Sequence, residues 1–357
     1  MRFNRSRRFV QVRRDLIRSV PALWPRDEFM AILVVGGAGY IGSHTVRELE
    51  KAGQQVWVFD NLSQGHAEAA RGDRLIRGDL LDRAALDDAL RGRDIDAVMH
   101  FAAFASVPES VADPAKYYRN NVVGTLNLLD AMLAAGVTRI VFSSTAAVYG
   151  VPDVVPISEE SPTRPINPYG FTKLAIERAL ADYAHAYGLG YAVLRYFNAC
   201  GASSDATIGE DHTPETHLIP IILQVALGQR ESLSIFGTNY PTPDGTCIRD
   251  YIHVEDLADA HVRALAKIEP GRGLTYNVGT GVGASVRGVL DAALQITGRP
   301  IPAVEFPRRP GDPPALVASS DALQRDLGWS PRYPKIADVI ASAWKWHSTH
   351  PNGYRSR

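Results

Sequence analysis

AILVVGGAGYIGSH, residues 31–44, decides how the rest of the chain is read. Its first five residues are apolar and rich in β-branched types, which predicts a strand buried on both faces. Three glycines follow, Gly36, Gly39 and Gly42, at the spacing G-x-x-G-x-x-G. SHTVRELEKAG, ending at Gly53, then predicts a helix. A glycine trio alone is a weak signal. Between a strand and a helix it predicts a turn whose backbone passes close to a pyrophosphate seated on the helix N-terminus. The next strand, QVWVFD, ends at Asp60. A carboxylate about twenty residues beyond the glycines can accept both hydroxyls of an adenosine ribose and repels a 2′-phosphate, so NAD rather than NADP is expected.

Outward from this unit the pattern repeats. RLIRGDL, DAVMHFAA, RIVFSS and YAVLRYF read as strands; DRAALDDALRG, YYRNNVVGTLNLLDAMLAAG and PYGFTKLAIERALADYAHAYG read as helices between them. Alternating strands and helices predict an α/β fold with a doubly wound parallel sheet. Ligands of such sheets lie beyond the strand C-termini. Asp79, at the end of the third strand, could bond an adenine amino group, and the small Ala102 and Ala103 would let a cofactor lie close. After residue 197 the elements shorten and loops such as GTNYPTPDGT and PRRPGDPPA appear. The expected division is residues 30–197 as a dinucleotide-binding domain and 198–350 as a smaller α/β domain draped over the strand ends. Residues 248–267 are expected to pack back on the first.

Composition excludes several classes. The 357 residues carry a formal net charge of -1, so nothing global points to nucleic acid or an anionic membrane. No apolar run is long enough to span a bilayer. Cys200 and Cys247 are far apart and outside any metal-ligand spacing, so no metal is expected, and both read as small buried residues. Residues 1–29 are arginine-dense, lack the apolar core of a secretory signal, and precede a second methionine, Met30. They read as a disordered tail or a misplaced start codon.

Reacting groups gather on the same rim. FSSTAAVYG places Ser143, Ser144 and Thr145 at a strand C-terminus. NPYGFTK, residues 167–173, opens the following helix and sets Tyr169 one turn ahead of Lys173, on one face. A free phenol titrates near 10, too high for a base at neutral pH. An ammonium about 6 Å away favours the phenolate by roughly 3 kcal/mol at an effective dielectric near 20. Tyr169 is therefore expected to act as the acid/base, with Thr145 fixing the direction of the substrate hydroxyl.

Longer stretches carry a resemblance: GGAGYIGSH, DNLS, YYRNNVVGT, SSTAAVYG, LRYFNACG, GEDHTPETHLIP and YPTPDGTCIRDYIHVEDLADAH. With these the chain resembles the extended short-chain dehydrogenase/reductases and, within them, the UDP-glucose (UDP-galactose) 4-epimerase family. The resemblance covers nearly everything after Met30. It implies a Rossmann-like fold, NAD, a UDP-sugar substrate, a cytoplasmic homodimer, and inversion at carbon 4 through a 4-keto sugar. By the same resemblance Tyr40, Ile41, Asp60, Asn61, Leu62, Ser63, Gln64 and Gly65 line the cofactor, as do Asp79 and Leu80. Phe101, Ala102, Ala103, Phe104 and Ala105 join them, with Asn120, Tyr169, Lys173 and Phe197. Thr145, Asn198, His217, Arg249, Arg309, Asp312 and Leu316 contact the substrate, with Leu218 and Phe236 near uracil.

Four positions depart from the family pattern. Thr145 stands where many members have serine. Ala105 stands where some have a lysine touching the cofactor. His217 replaces an asparagine near the diphosphate, and Leu316 occupies a position beside the sugar's carbon 2 that is tyrosine or small in relatives. Another UDP-sugar 4-epimerase (N-acetylhexosamine, pentose or uronate) is the nearest alternative. A nucleotide-sugar dehydratase would need an acidic pair after Thr145, where this chain has Ala146 and Ala147. A non-catalytic NAD-binding protein would not need Tyr169, Lys173 and Thr145 together.

Overall fold

The computed structural model describes residues 30–70, 72–309 and 312–354. The tail reading of residues 1–29 lies outside them. Among the described residues the first half runs β1 (Ala31–Val35), α1 (Tyr40–Lys51), β2 (Gln55–Asp60), β3 (Leu75–Arg77), α2 (Arg83–Leu90) and β4 (Ile95–His100). It continues with α3 (Val107–Ala112), α4 (Pro114–Tyr117), α5 (Gly124–Ala135), β5 (Arg139–Thr145), α6 (Pro168–Tyr187) and β6 (Gly190–Tyr196). These strands pair in parallel in the order β6-β5-β4-β1-β2-β3. The order reverses at β1, and there the C-terminal ends of β1 and β4 part to leave a crevice.

Alternation along β1 divides the core. Ile32 and Val34 face one apolar cluster, while Ala31, Leu33 and Val35 face the other. The second cluster includes Leu86 of α2, Leu128 of α5 and Ile176 of α6, so these helices cover that face. Local signals set the helix ends. Asn167 accepts a bond from Gly170 N at 2.9 Å, Pro168 takes the first helical position, and Gly188 closes α6 in the left-handed region.

The second half supplies β7 (Asn198–Cys200), α7 (Leu218–Ala226), β8 (Leu233–Phe236), β9 (Ile248–His253), α8 (Val254–Leu265) and β10 (Gly273–Val278). After these come β11 (Gly283–Ser285), α9 (Val286–Thr297), β12 (Ala303–Phe306), β13 (Ala315–Leu316), α10 (Asp321–Leu327) and α11 (Ile336–Thr349). Its own core joins α7, α9 and α11 around Ile222, Leu223, Val289 and Ile340. Two parts of it return to the large sheet. β10 pairs with β6 as the seventh strand, and α8 packs on α1 with Leu257, Ala260 and Val262 in the first cluster.

One expected helix is interrupted. YYRNNVVGTLNLLDAMLAAG reads as continuous, but Tyr118–Val123 forms a π-helical stretch between α4 and α5. Asn121 explains it: the side chain is fully buried and bonds both Phe104 N and Phe104 O at 3.0 Å. The wider turn lets Asn121 reach the loop after β4 while Asn120 lines the crevice.

Candidate active site

An open crevice lies beyond β1, β2 and β4. Gly36, Gly39, Asp60, Asn61, Ser63 and Gln64 line one side of it. Gly65, Leu80, Phe101, Ala102, Ala103, Phe104 and Asn120 line it as well. Gly36 has φ +80, and a Cβ there would lie 2.5 Å from Ala102 N. A Cβ on Gly42 would collide with the Gly36 carbonyl oxygen, so only glycine lets α1 start this close to the turn. Gly39 provides α1 with no side-chain cap, which leaves first-turn N–H groups for an anion.

Asp60 is the crevice's buried acid. Its Oδ2 accepts from Ala38 N at 3.0 Å and its Oδ1 from Leu62 N at 2.8 Å. Burial pushes its carboxyl upward, and these two bonds oppose the shift. A carboxylate has about four acceptor positions, so two remain for ribose hydroxyls. The glycine turn, the uncapped helix start and this acid fit a dinucleotide.

Other expected cofactor residues do supporting work. Tyr40 OH donates to Gly201 O at 2.7 Å, and Ile41 and Leu62 pack against the apolar cluster beneath. Asp79 Oδ2 accepts from Asn61 Nδ2 at 2.8 Å, which ties two crevice loops together. Ala105 is exposed at the end of the Phe101–Ala105 loop.

Thr145, Tyr169 and Lys173 converge as their spacing implies, and all three are buried. Lys173 Nζ lies 6.0 Å from the Tyr169 ring centre and donates to Ser143 O at 2.8 Å. The Thr145 hydroxyl faces the Tyr169 phenol and favours its ionised form. The electrostatics differ from expectation. Burial, with Tyr196 nearby, drives the Tyr169 phenol well up rather than down. Burial also pulls the Lys173 ammonium down to about 7, against the pull of Glu177. Removing a phenolate from water costs more here than the nearby ammonium returns. With the protein's own groups, Tyr169 holds its proton.

Beneath the pair lies a network that the sequence did not disclose. Arg195 grips Glu177 with two bonds, Nε to Oε1 at 3.1 Å and an Nη to Oε2 at 2.6 Å. Ser144 Oγ donates to Glu177 Oε1, and Arg195 donates to Tyr149 OH, which in turn donates to Asn277. Glu177 is four residues beyond Lys173, so one helical face carries 169, 173 and 177 in line. The spacing was visible; the partners on β5, β6 and β10 were not.

The second half places its expected residues in two groups. Arg249 donates to Asp312 Oδ1 at 2.6 Å and to Pro313 O at 3.0 Å, and it pairs across the strands with Leu316. Leu316 and Phe197 pack on Ala146, Val148 and Tyr149, the turn directly after Thr145. Asn198 starts β7 opposite Tyr251. Separately, the Arg309 guanidinium stacks 3.9 Å over Phe236, which itself lies 5.6 Å from Phe306. His217 Nδ1 engages Glu210 at 2.8 Å and Glu215 at 3.0 Å, and Leu218 packs into the second core.

Residues 32–279 match the family model described as NAD dependent epimerase/dehydratase family. A UDP-glucose 4-epimerase of Halalkalibacterium halodurans is 55% identical over 326 residues, 91% of this chain and 98% of its own. The crystal structure of UDP-glucose 4-epimerase from Brucella ovis in complex with NAD superposes with a TM-score of 0.85 at 49% identity, covering 88% of this chain and 98% of that one. The Bifidobacterium longum UDP-glucose 4-epimerase, solved with NAD+ and UDP, gives 0.86 at 39%, covering 91% and 100%.

Proposed function

This chain belongs to the NAD dependent epimerase/dehydratase family, and from that premise we propose that it is an NAD-dependent UDP-glucose 4-epimerase, an isomerase interconverting UDP-galactose and UDP-glucose. The observation that carries the reading is the convergence of Thr145, Tyr169 and Lys173 on the strand-end rim that also holds the Asp60 crevice. Tyr169 takes the proton of the sugar's 4-hydroxyl and returns it after the sugar has turned over. Thr145 bonds the same oxygen, and Lys173 stands one turn along α6 on the phenol's face, where its charged form favours the phenolate. NAD held in the Asp60 crevice would supply the hydride acceptor for carbon 4, and its positive ring would offset the burial that otherwise keeps Tyr169 protonated.

The remaining assignments follow the same division. Residues 30–197 bind NAD and residues 198–350 mainly hold the UDP-sugar, with 248–267 packed back through α8. Gly36, Gly39 and Gly42 accommodate the pyrophosphate, and Asp60 takes the ribose. Arg249, Arg309 and Asp312 hold the diphosphate and ribose of UDP, with Phe236 and Leu218 near the uracil; paired guanidinium donors suit such oxygens. Ala146 and Ala147 cannot transfer protons, which disfavours a dehydratase.

The active form is a cytoplasmic homodimer. Val111, Tyr118, Val123, Phe171 and Tyr187 are large and exposed on α3, α6 and the π-helical stretch, and a second copy would cover them. Among the described residues no helix is long and apolar enough to cross a membrane.

One incubation tests the activity. UDP-galactose should become UDP-glucose with no dehydrated keto sugar released, as read by anion-exchange chromatography. A dehydrated product or unchanged substrate would overturn the assignment.

A further inference from the structure

Two carboxylates and two imidazoles meet just before α7: Glu210, His212, Glu215 and His217. Nothing in the epimerisation chemistry uses them as a set. One ligand atom from each lies within 4.8 Å of the others. Glu210 Oε1 is 3.3 Å from His212 Nδ1 and 2.8 Å from His217 Nδ1. Glu215 Oε2 is 3.7 Å from His212 Nδ1, and Glu215 Oε1 is 3.0 Å from His217 Nδ1. A tetrahedral ion with bonds of ~2.0–2.1 Å to nitrogen and oxygen sets its ligand atoms ~3.3 Å apart. The four measured contacts, two of them to different oxygens of the Glu215 carboxylate, straddle that value.

Two further observations favour an ion. Both glutamates are buried, with side chains 4% and 3% exposed, so their neighbouring negative charges need compensation that water cannot supply. His212 Nδ1 is enclosed, stands beside both carboxylates, and makes no well-directed hydrogen bond. An enclosed imidazole nitrogen set between two carboxylates, with no directed bond to either, suits a central cation. We propose that Glu210, His212, Glu215 and His217 form a structural zinc site. The donors are the nitrogen and oxygen ligands that zinc takes, and four protein ligands leave no open position for chemistry.

The site would join three parts of the molecule. His217 is the N-cap of α7. Trp346 Nε1 of α11 donates to Glu210 O at 3.3 Å, and the His212 ring meets Tyr40 of α1 edge-on at 6.3 Å. The spacing E-x-H-x-x-E-x-H was present in GEDHTPETHLIP. Weighing only the two cysteines left it unread.

The test uses the full, untagged chain, dialysed against a strong chelator and then given zinc. One zinc per chain should remain after gel filtration, by elemental mass spectrometry, and the thermal midpoint should rise by several degrees over the chelated protein. Cobalt in place of zinc should give the intense visible absorption of a tetrahedral site. His212→Gln should weaken zinc binding at least ~100-fold, beyond the 10–100-fold typical of outer-shell changes, while the exposed-surface control His185→Gln keeps it. Cobalt on the wild-type chain needs no variant, so a misfolded His212→Gln would not shelter the proposal. No zinc retained, equal retention by His212→Gln, or a weak octahedral cobalt spectrum would overturn it and leave a four-membered ion-pair cluster.

Discussion

The crevice beyond β1, β2 and β4 and the region carrying Arg249, Asp312 and Leu316 are built on different plans. In the crevice, neighbouring segments of chain and the backbone itself do most of the work. Gly36, Gly42, Asp60 and the start of α1 lie within one strand–helix–strand unit, and Asp60 is fixed by two backbone N–H groups. On the other face, side chains from distant segments meet. Arg249 finds Asp312 across 63 residues, and Leu316 reaches the turn after Thr145. A backbone-built site tolerates little variation in its few glycines. A side-chain-built site can change its substrate by single replacements, which predicts that cofactor binding and sugar choice are separable by mutation.

The largest effect should come where the two plans meet. Tyr169→Phe should lower turnover by ~10²–10⁴-fold, the range of a positioned acid/base group, while NAD and UDP still bind by calorimetry. Turnover within tenfold of the parent would remove Tyr169 from the chemistry.

Arg249→Ala probes the side-chain-built face alone. Hydrogen bonds to charged groups contribute ~1.5–3 kcal/mol, so UDP affinity should fall by about 10- to 150-fold. NAD affinity should not move. A parallel loss of NAD would show that the two sites are one mechanical unit.

Acid should act on the seam between the halves. His44 on α1, His253 at the start of α8 and His261 within α8 are buried, and burial pulls each down to about 4. Above pH 6.5 they are neutral in folded and unfolded chains alike and cost nothing. As pH falls below 6.5 the unfolded chain gains protons that the folded chain refuses until about pH 4, so stability is lost through that window. At pH 5 the loss is about 2 kcal/mol for each histidine. Calorimetry at pH 7.5 and pH 5 should show the drop, and His261→Asn should reduce it. An unchanged midpoint would mean the seam does not depend on neutral histidines.

The smallest effect concerns the sugar. Leu316 offers no partner to an acetamide at carbon 2, and an unpaired buried amide costs ~1–3 kcal/mol. UDP-glucose and UDP-galactose should be preferred over their N-acetyl forms by about tenfold or more in kcat/KM. Leu316→Ser should narrow the gap with NAD affinity unchanged. Equal use of both pairs by the parent enzyme would place the gate elsewhere.

Sequence alone determined the parallel sheet, the glycine turn, the Asp60 position and the Tyr169–Lys173 face. Each rests on period and spacing within a few dozen residues, where helix and strand geometry are fixed by covalent structure and hydrogen-bond repeat. Tertiary structure decided what depends on burial and on distant partners. β10 joins the sheet only because α8 first carries the chain back across α1. Asn121 widens its helix because the loop at Phe104 needs its amide. Arg195 and Glu177 become a pair only once β6 and α6 are packed. The Tyr169 phenol is held up rather than drawn down because its surroundings exclude water, and desolvation belongs to the packed chain, not to the spacing of a tyrosine and a lysine.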